Sequence, residues 1–376
     1  MSGHVTYAVV GLGSAGSFAL RSLARAGHSV VGFEAGGVAN DRSAVGGDTR
    51  LYRRLYLEGP EYHDLLERAL ELWGDANRTS PDSFVQCGAL SIVEAASEAA
   101  DTLSRYGERF GIPYRRLDGD ELRREYPQHL CGPSEIGFLD LSGGFVRTDV
   151  VVRQAVEDAR TAGAEVVEEQ VLSVESTEAG AQVVTAAGTW QVEKVVVAAG
   201  ARSGMLLEAV RRHTEPRRLL MTWFQAQEPV AYAPRSFPVF TRETGDHHMY
   251  GAPALDGRHV KVSGIVSHQP LEFEAGGYDY GQGPKQEELR TCEAAVAASF
   301  AGLHPVPVRS AVYPDLYSAD RGFILDWADR HTRIFAATGF SGKGFKMCCA
   351  LGEHAAQVLS GEAARLPAFA LSRFDR

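Results

Sequence analysis

Two glycine-rich stretches decide the fold of this chain, Gly11-Leu12-Gly13-Ser14-Ala15-Gly16 near one end and Gly339-Phe340-Ser341-Gly342-Lys343-Gly344-Phe345-Lys346 near the other. The first stretch follows a short apolar run, residues 7–10, and precedes a helix-forming segment, residues 17–26, which Gly27 closes. A buried strand, a glycine turn and a helix in this order are typical of the βαβ unit that binds dinucleotides. We interpret the two stretches as two walls of one cofactor site, which makes a dinucleotide enzyme the leading hypothesis.

Each glycine of the first stretch has a physical role in such a unit. Gly11 permits the tight turn, Gly13 lets backbone N–H groups approach a pyrophosphate, and Gly16 lets the helix pack closely on the strand. A second apolar strand, residues 29–33, ends in Glu34, near the usual ~20-residue spacing for an acid that binds an adenosine ribose. Glycine turns also join strands to helices for structural reasons alone, but the complete series favours nucleotide binding. An acid at this position argues against NADP.

Length and composition agree with an ordinary globular enzyme. A chain of 376 residues exceeds what a single core usually supports, so we expect two domains. No apolar run approaches the ~18 residues of a membrane span, and no cationic, apolar signal segment precedes the first strand, so we expect a cytoplasmic protein. The net charge of -10 disfavours nucleic acid and membrane as partners. Five cysteines without zinc-type spacing predict free thiols and no metal site.

Helix and strand patterns along the chain predict two interleaved domains. Helical patterns cover residues 60–73, 96–110, 118–126, 149–162 and the last segment through 359. Strand patterns cover 86–93, 165–167, 170–174, a hairpin of 181–185 with 189–192, 194–200, 220–226, 247–250, 259–264, 323–326 and 334–337. We expect an α/β fold, α+β overall. A Rossmann-like dinucleotide-binding domain (residues 1–85, 145–218 and 313–376) would be interleaved with a smaller antiparallel-sheet substrate domain (residues 86–144 and 219–312).

Further landmarks follow the first glycine stretch and Glu34 in a fixed order. They are Gly47-Asp48-Thr49-Arg50-Leu51-Tyr52-Arg53, Glu58-Gly59-Pro60-Glu61-Tyr62, residues 195–200, Tyr250 with Lys261 eleven residues on, and the second glycine stretch ending at Lys346. One of these motifs alone is unspecific, whereas the ordered set resembles the monomeric sarcosine oxidase and N-methyltryptophan oxidase family of D-amino-acid-oxidase-like flavoproteins. The resemblance covers nearly the whole chain. It implies FAD at the domain interface and oxidation of an amine that carries a carboxylate.

The resemblance assigns candidate substrate-binding residues. Arg53 and Lys346 match the pair that holds the substrate carboxylate, and Tyr250 matches a tyrosine that lines the substrate cavity. A planar guanidinium can meet a carboxylate in bidentate fashion, and lysine adds a mobile point charge. The alternative for Arg53 is a surface ion pair, and Arg54 beside it leaves the register open.

The resemblance also assigns residues around the flavin. Arg50 and Lys261 match basic residues near the ring, so Arg50, Lys261 and Tyr250 are the catalytic candidates, with Lys261 the candidate for oxygen activation. Without the family, Lys261 could be an outward-facing strand residue, and the small residues Ala199 and Gly200 could belong either to the core or to the cofactor site. The implied cofactor-binding residues are Gly11, Gly13, Ser14, Ala15, Gly16, Glu34, Ala35, Arg42, Ser43, Asp48, Thr49, Arg50, Val171, Ala199, Gly200, Gly342, Lys343, Gly344, Phe345 and Lys346.

Three departures from the family pattern bear on the chemistry. Ala311 stands where the family carries a cysteine bonded to the flavin, two residues before Tyr313, so we expect non-covalent FAD; the longer spacing from Tyr313 to Phe323 leaves a local slip open. Ile265 replaces an active-site histidine, for which His247, His248 and His268 are possible substitutes, and Gly46 replaces another histidine. The changes suggest a substrate other than sarcosine: a bulkier amino acid, a cyclic imino acid or a biosynthetic intermediate.

The sequence therefore predicts an FAD-dependent oxidase that converts a carboxylate-bearing amine to an imine and reduces O2 to H2O2. The expected partners are a small-molecule amine and oxygen, and the protein would be a monomer or a small homo-oligomer. Two alternatives stay open, a dehydrogenase that uses another electron acceptor and a non-catalytic flavin-binding protein. An NAD-dependent enzyme fits less well, because the second glycine stretch has no place in it.

Overall fold

A computed structural model describes residues 5–245, 247–266, 268–271, 273–274, 277–278 and 283–375. The strands are, in chain order, β1 (Tyr7–Val10), β2 (Val30–Phe33), β3 (Thr49–Tyr52), β4 (Phe84–Val85), β5 (Ala89–Glu94), β6 (Tyr114–Leu117), β7 (Glu135–Asp140), β8 (Gly144–Arg147), β9 (Glu165–Val167), β10 (Val171–Ser176), β11 (Ala181–Thr185), β12 (Thr189–Val192), β13 (Lys194–Val197), β14 (Thr214–Gln225), β15 (Val239–Thr244), β16 (His247–Ala252), β17 (His259–Ser263), β18 (Gln269–Pro270), β19 (Phe273–Glu274), β20 (Gly277–Tyr278), β21 (Arg309–Ser318), β22 (Ile324–Trp327) and β23 (Ile334–Thr338). The α-helices are α1 (Ser14–Arg25), α2 (His63–Thr79), α3 (Glu98–Phe110), α4 (Gly119–Glu125), α5 (Thr148–Thr161), α6 (Ser203–Leu206), α7 (Glu208–Arg211), α8 (Gln286–Ser299) and α9 (Cys348–Ser360).

A six-stranded sheet carries the first glycine turn. Its order is β22-β23-β13-β1-β2-β9, and every neighbouring pair is parallel except β22 with β23. All four residues of β1 are buried, because Val9 faces a core formed with α1, α5 and α9 while Ala8 and Val10 face a core shared with the antiparallel sheet β10-β11-β12. A strand buried on both faces reads as a continuous apolar run, which is why this one was recognisable. The predicted Rossmann-like α/β fold is confirmed.

The larger sheet has nine strands and is mostly antiparallel. Its order is β18-β14-β17-β16-β15-β5-β7-β6, with β21 paired to β14 and a parallel contact between β15 and β5. A separate sheet, β3-β8-β4, carries the segment around Arg50. Strands β14 and β21 both run across the predicted domain boundaries at 218/219 and 312/313. The exact division into two domains stays a prediction.

Strand β21 was not expected from the sequence. It contains Pro314 and Asp315, and both residue types are uncommon within strands. The strand pairs with β14 over the register from Thr214↔Ser318 to Trp223↔Arg309, and Tyr317 also forms an isolated bridge with Phe340. A position at the edge of a sheet tolerates a proline that cannot donate a ladder hydrogen bond. None of the helices within the described ranges is long and apolar enough to cross a membrane.

The crossing of α1 and α9 generates a stability prediction. A Cβ atom added at Gly352 would lie 2.3 Å from the carbonyl oxygen of Ala15 and 2.6 Å from the amide nitrogen of Ala19, so Gly352→Ala must push the two helices apart. We expect a loss of about 1–3 kcal/mol in the free energy of unfolding, measured by urea denaturation. The matched control is Gly74→Ala in α2, where a Cβ meets nothing within 4 Å; it should gain about 0.5–1 kcal/mol from helix propensity. Equal stability of the two variants would contradict this packing.

Candidate active site

A cavity of about 230 Å³ opens at the carboxyl ends of β1, β2 and β13, and we call it the nucleotide cavity. Many of the predicted cofactor-binding residues line it: Gly11, Gly13, Ser14, Glu34, Ala35, Arg42, Ser43, Val171, Ala199 and Gly200. Ala15, Gly16 and Gly344 do not appear in its lining; Ala15 and Gly16 are buried, and Gly344 packs against Phe340. The structure therefore brings together residues that are spread over nearly two hundred positions of the chain.

The glycine turn at the floor of this cavity has the geometry that a pyrophosphate needs. Helix α1 begins after Gly13 without a side-chain cap, which leaves the first backbone N–H groups available to a ligand. Gly11 has φ +88°, and a Cβ there would lie 2.7 Å from the carbonyl oxygen of Ala198. A Cβ at Gly16 would lie 1.8 Å from the carbonyl oxygen of Gly11. The turn can exist only with glycine at both positions.

Glu34 is held in place by two backbone N–H groups. Its Oε2 atom accepts a hydrogen bond from Leu12 at 2.9 Å and its Oε1 atom accepts one from Gly36 at 3.0 Å. Each carboxylate oxygen has a second lone pair, and the carboxylate lines the cavity, so it can accept hydrogen bonds from ribose hydroxyls. The turn, the uncapped helix and this acid together fit the adenosine and pyrophosphate parts of FAD.

A second cavity, of about 590 Å³, lies beside the second glycine stretch, and we call it the cation-rich cavity. It brings together the predicted residues Arg50, Arg53, Tyr250, Lys261, Gly342, Lys343, Phe345 and Lys346. It is also lined by residues to which the sequence assigned no role: Glu58, Arg217, Thr241, Glu243, Tyr317 and Arg321. All the residues predicted to contact substrate thus share one cavity.

Arg53 is buried and directed into the cation-rich cavity. Its Nη1 atom donates hydrogen bonds to Thr241 Oγ1 at 2.9 Å and to Ser91 Oγ at 3.2 Å, and its Nη2 atom lies 3.9 Å from Glu58 Oε1. The neighbouring Arg54 is instead paired with Glu67, at 2.9 Å. Of the two neighbouring arginines, Arg53 lines the cavity and Arg54 does not, and the role of Arg53 in substrate binding stays a prediction.

Lys346 lies next to Arg53 in the same cavity. Its Nζ atom donates to the carbonyl oxygen of Lys343 at 3.1 Å and to the hydroxyl of Tyr56 at 3.4 Å. Burial lowers the pKa of Lys346 to about 7; the carboxylate of Glu58 opposes this shift, while Arg53 and Lys343 add to it. The ammonium is therefore poised to lose its proton near neutral pH.

Glu58 is a site residue that sequence reasoning left without a role. Burial opposes ionisation of its carboxyl group, but Arg53, Lys346 and Lys343 together hold its pKa below the ordinary value. It acts as a counter-ion between the cations when no carboxylate ligand is bound. Its signal was present, since it opens the landmark Glu58-Gly59-Pro60.

Lys261 and Arg50 are both tied to the loop before β3. Lys261 Nζ donates to the carbonyl oxygens of Gly47, at 3.1 Å, and Thr49, and Arg50 donates to the carbonyl oxygens of Thr49 at 2.8 Å and Ala44 at 2.7 Å. Burial, followed by the charge of Arg50, lowers the pKa of Lys261 well below its ordinary value. The alternative of an outward-facing strand lysine is wrong, because Lys261 is only 4% exposed.

Lys261 also lines a third cavity, of about 540 Å³. This cavity is lined by Asp48, Thr49, Trp223 and Arg309 as well. The guanidinium of Arg309 donates to both carboxylate oxygens of Asp48, at 3.1 and 2.8 Å, and lies 4.1 Å from the centre of the Trp223 ring. Asp48 and Thr49 thus face the third cavity rather than the nucleotide cavity, and their role as cofactor ligands stays a prediction.

Two of the three candidate histidines reach the cation-rich cavity. His268 Nδ1 is hydrogen-bonded to the hydroxyl of Tyr317, and burial together with His248, Arg217 and Arg321 lowers the pKa of His268 to about 4. His248 is exposed and lies 3.7 Å from Glu243. The side chain of His247 lies outside the described residues.

Tyr313, two residues after Ala311, lines none of the three cavities. It is buried, its hydroxyl donates to Asp41 Oδ1 at 3.1 Å, and a Cβ at Gly46 would lie 2.1 Å from its ring. Gly46 is therefore required by Tyr313. The tyrosine of β21 that lines the cation-rich cavity is Tyr317. Asp315, between them, lines the nucleotide cavity and accepts hydrogen bonds from the amides of Gly342 and Leu316, at 2.6 and 2.8 Å.

The fold and the nucleotide cavity define a class of protein, one built on a dinucleotide-binding α/β sheet. A family model described as "FAD dependent oxidoreductase" (DAO) matches residues 6–358, and the chain belongs to this family. The chain is similar to N-methyl-L-tryptophan oxidase of Salmonella enteritidis, with 29% identity over 386 residues that cover 98% of each protein.

Two solved structures share the fold. NikD, described as an unusual amino acid oxidase essential for nikkomycin biosynthesis, has a TM-score of 0.83 and 19% identity, over 96% of this chain and 95% of that one. L-proline dehydrogenase from P. horikoshii has a TM-score of 0.82 and 19% identity, over 100% and 99%. The predicted family resemblance is confirmed, and the protein is an FAD-dependent oxidoreductase.

The lowered pKa of Lys346 leads to a prediction about how ligand binding depends on pH. Lys346 carries its charge below about pH 7 and loses it as the pH rises through that value, so a simple carboxylate such as acetate should bind the cation-rich cavity progressively more weakly at higher pH. We expect the Kd to rise by up to about ten-fold per pH unit in that range, measured by the change in flavin absorbance. The variant Lys346→Arg should remove this dependence, because arginine stays charged. A Kd that is the same at pH 6 and pH 9, to within about two-fold, would contradict the assignment.

Proposed function

We propose that the protein is an FAD-dependent oxidase of an amine that carries a carboxylate, and that it forms an imine while reducing O2 to H2O2. The observation that carries the proposal is the placement of Arg53, Lys346 and Lys261 in one cavity beside a cavity that fits a dinucleotide. The curated relatives are named N-methyl-L-tryptophan oxidase, which supports a carboxylate-bearing amine as substrate. A secondary or cyclic amino acid, or a biosynthetic amino-acid intermediate, fits this description. The five free cysteines support a cytoplasmic location.

The side chains of the cation-rich cavity bind and orient this substrate. Bound FAD supplies the two-electron acceptor for the C–H bond next to the amine nitrogen. Arg53 and Lys346 hold the substrate carboxylate. Hydrogen bonds to Thr241 and Ser91 position the guanidinium of Arg53, and the nearby carboxylate of Glu58 balances its charge. Tyr250, packed on Gly264 where a Cβ would lie 2.8 Å from its ring, forms one wall and limits where the amine can lie. The geometry thus orients the reacting C–H bond without a side-chain nucleophile.

We propose that Arg50 and Lys261 provide the positive charge that favours reduction of oxygen. Both cations are buried and held by backbone carbonyl oxygens, so their positions are fixed before the reaction. Lys261 can be approached from the third cavity as well as from the cation-rich cavity. A dehydrogenase that passes electrons to another acceptor is the second candidate, since L-proline dehydrogenase has the same fold.

A panel of amines tests the substrate class. Anaerobic protein that contains FAD should lose its yellow absorbance when mixed with at least one N-methyl, cyclic, or free amino acid, and should not respond to the matching amine without a carboxylate. Arg53→Met should weaken substrate affinity about 10- to 100-fold, because one charged hydrogen bond contributes about 1.5–3 kcal/mol. Arg54→Met is the matched control, since Arg54 pairs with Glu67 and does not line the cavity. Absorbance that never changes with any amine would support a non-catalytic flavoprotein.

Oxygen consumption separates an oxidase from a dehydrogenase. We expect photochemically reduced protein to be reoxidised by O2 with release of H2O2, and Lys261→Met to slow this reoxidation about 10²–10³-fold through loss of one fixed positive charge. Stopped-flow absorbance measures the rate without requiring knowledge of the substrate. Reoxidation that is slow in the unmodified protein and unchanged by Lys261→Met would favour a dehydrogenase.

We also propose that FAD is bound without a covalent link. Neither Ala311, Tyr313 nor Asp315 offers a thiol on β21, and none of the five cysteines lines any of the three cavities described above. Acid precipitation should therefore leave a colourless pellet and release intact FAD into the supernatant, identified by chromatography. A yellow pellet that resists washing in denaturant would overturn the proposal.

A further inference from the structure

The outer part of the cation-rich cavity holds positive charge that the proposed function does not use. Arg217, His268 and Arg321 surround Tyr317, with the guanidinium carbon of Arg217 5.1 Å from the centre of the Tyr317 ring and His268 hydrogen-bonded to its hydroxyl. We call these four residues the outer anion site. The second glycine stretch passes close to them, because a Cβ at Gly342 would lie 2.7 Å from the Tyr317 hydroxyl.

Among the described residues that line this region, positive charges outnumber negative ones, although the carboxylate of Asp315 also acts on Tyr317. Arg217 is paired with Glu215 at 2.7 Å, whereas the side chain of Arg321 makes no ion pair or hydrogen bond with a described residue. The groups whose charges act on His268 are His248, Arg217 and Arg321, and all of them disfavour its protonated form. The described lining as a whole carries Arg50, Arg53, Arg217, Lys261, Arg321, Lys343 and Lys346 against Glu58 and Glu243.

We propose that the substrate carries two anionic groups. One carboxylate binds Arg53 and Lys346, and a second carboxylate, separated from the amine by a short chain, binds the outer anion site. The inference rests on the proposed function and names its substrate class, an N-alkyl or cyclic amino dicarboxylic acid. The guanidinium groups of Arg217 and Arg321 offer hydrogen-bond donors of the kind that a carboxylate accepts. A cationic side chain would instead meet the positive charge of Arg217 and Arg321.

Binding of matched ligand pairs tests the second anionic group without requiring turnover. The ligands are the dicarboxylates malonate, succinate, glutarate and adipate, each compared with its own monoamide, which has nearly the same shape and one charge less. We expect at least one dicarboxylate to bind the FAD-loaded protein about ten-fold more tightly than its monoamide, measured by calorimetry and by the flavin absorbance change. The preference should shrink as the salt concentration rises. Equal affinity within every pair would overturn the proposal.

Variants locate the preference in the outer anion site. Arg321→Asn and Arg217→Gln should each reduce the preference for the dicarboxylate to about two-fold, while the Kd of the monoamide stays the same. Arg321 has φ +59°, a conformation that asparagine tolerates better than most residues, so the variant keeps the backbone. The control Arg212→Gln removes an equal charge from an exposed pair with Glu208 and should leave the preference intact. Equal weakening of both ligands by Arg321→Asn would show a structural role only and would overturn the assignment.

The same comparison between a second carboxylate and its amide, made with substrates, distinguishes this inference from the proposed function. N-methyl aspartate and N-methyl glutamate should reduce the flavin at lower concentrations than N-methyl asparagine and N-methyl glutamine. If amines with one carboxylate reduce the flavin equally well, the function stands and the second anionic group is refuted. If no amine reduces the flavin, the function fails, and the dicarboxylate titration still decides whether the outer anion site exists.

Discussion

The contact between the β1–α1 turn and the end of β13 is the constraint on which the nucleotide cavity depends. The backbone of Gly11 lies so close to Ala198 and Ala199 that no side chain fits between them, and the same turn brings Gly16 against the carbonyl oxygen of Gly11. This close approach starts α1 directly under the cavity and places the amide of Leu12 where Glu34 can accept its hydrogen bond. The lack of a side chain at Gly11 and at Gly16 therefore allows the sheet, the helix and Glu34 to take up these relative positions.

The second organising feature is the way buried cations are held. Lys261 and Arg50 donate to backbone carbonyl oxygens, which stabilises their positions without cancelling their charge. Arg53 and Lys346 instead share the single carboxylate of Glu58. Two cations therefore have one counter-ion between them. Burial of positive charge is unfavourable unless a negative group compensates it. An anion that binds there therefore stabilises the site. Its affinity depends on the excess positive charge of the cavity.

The parts of the fold defined by local sequence were predictable, and the parts defined by distant contacts were not. Strand β1, helix α1, strand β2 and Glu34 follow one another within about thirty positions, so their pattern could be read directly. The local sequence of β21 does not indicate a strand, because Pro314 and Asp315 are residue types that are uncommon within strands. The strand forms because β14 supplies its hydrogen-bonding partners. Strand β21 carries both Tyr313 and Tyr317, and only the structure shows that Tyr317 is the one that lines the cation-rich cavity. Arg217 and Arg321 lie about one hundred positions apart, and no local signal connects them.

Lys261 forms part of the wall between two cavities. The residue proposed to assist the acceptor can therefore be reached along a path that does not cross the place where the amine binds. The first product therefore does not have to leave before the second reactant can arrive. A catalytic cycle through a ternary complex is open to this protein, in addition to the strictly alternating cycle that a single entrance would impose.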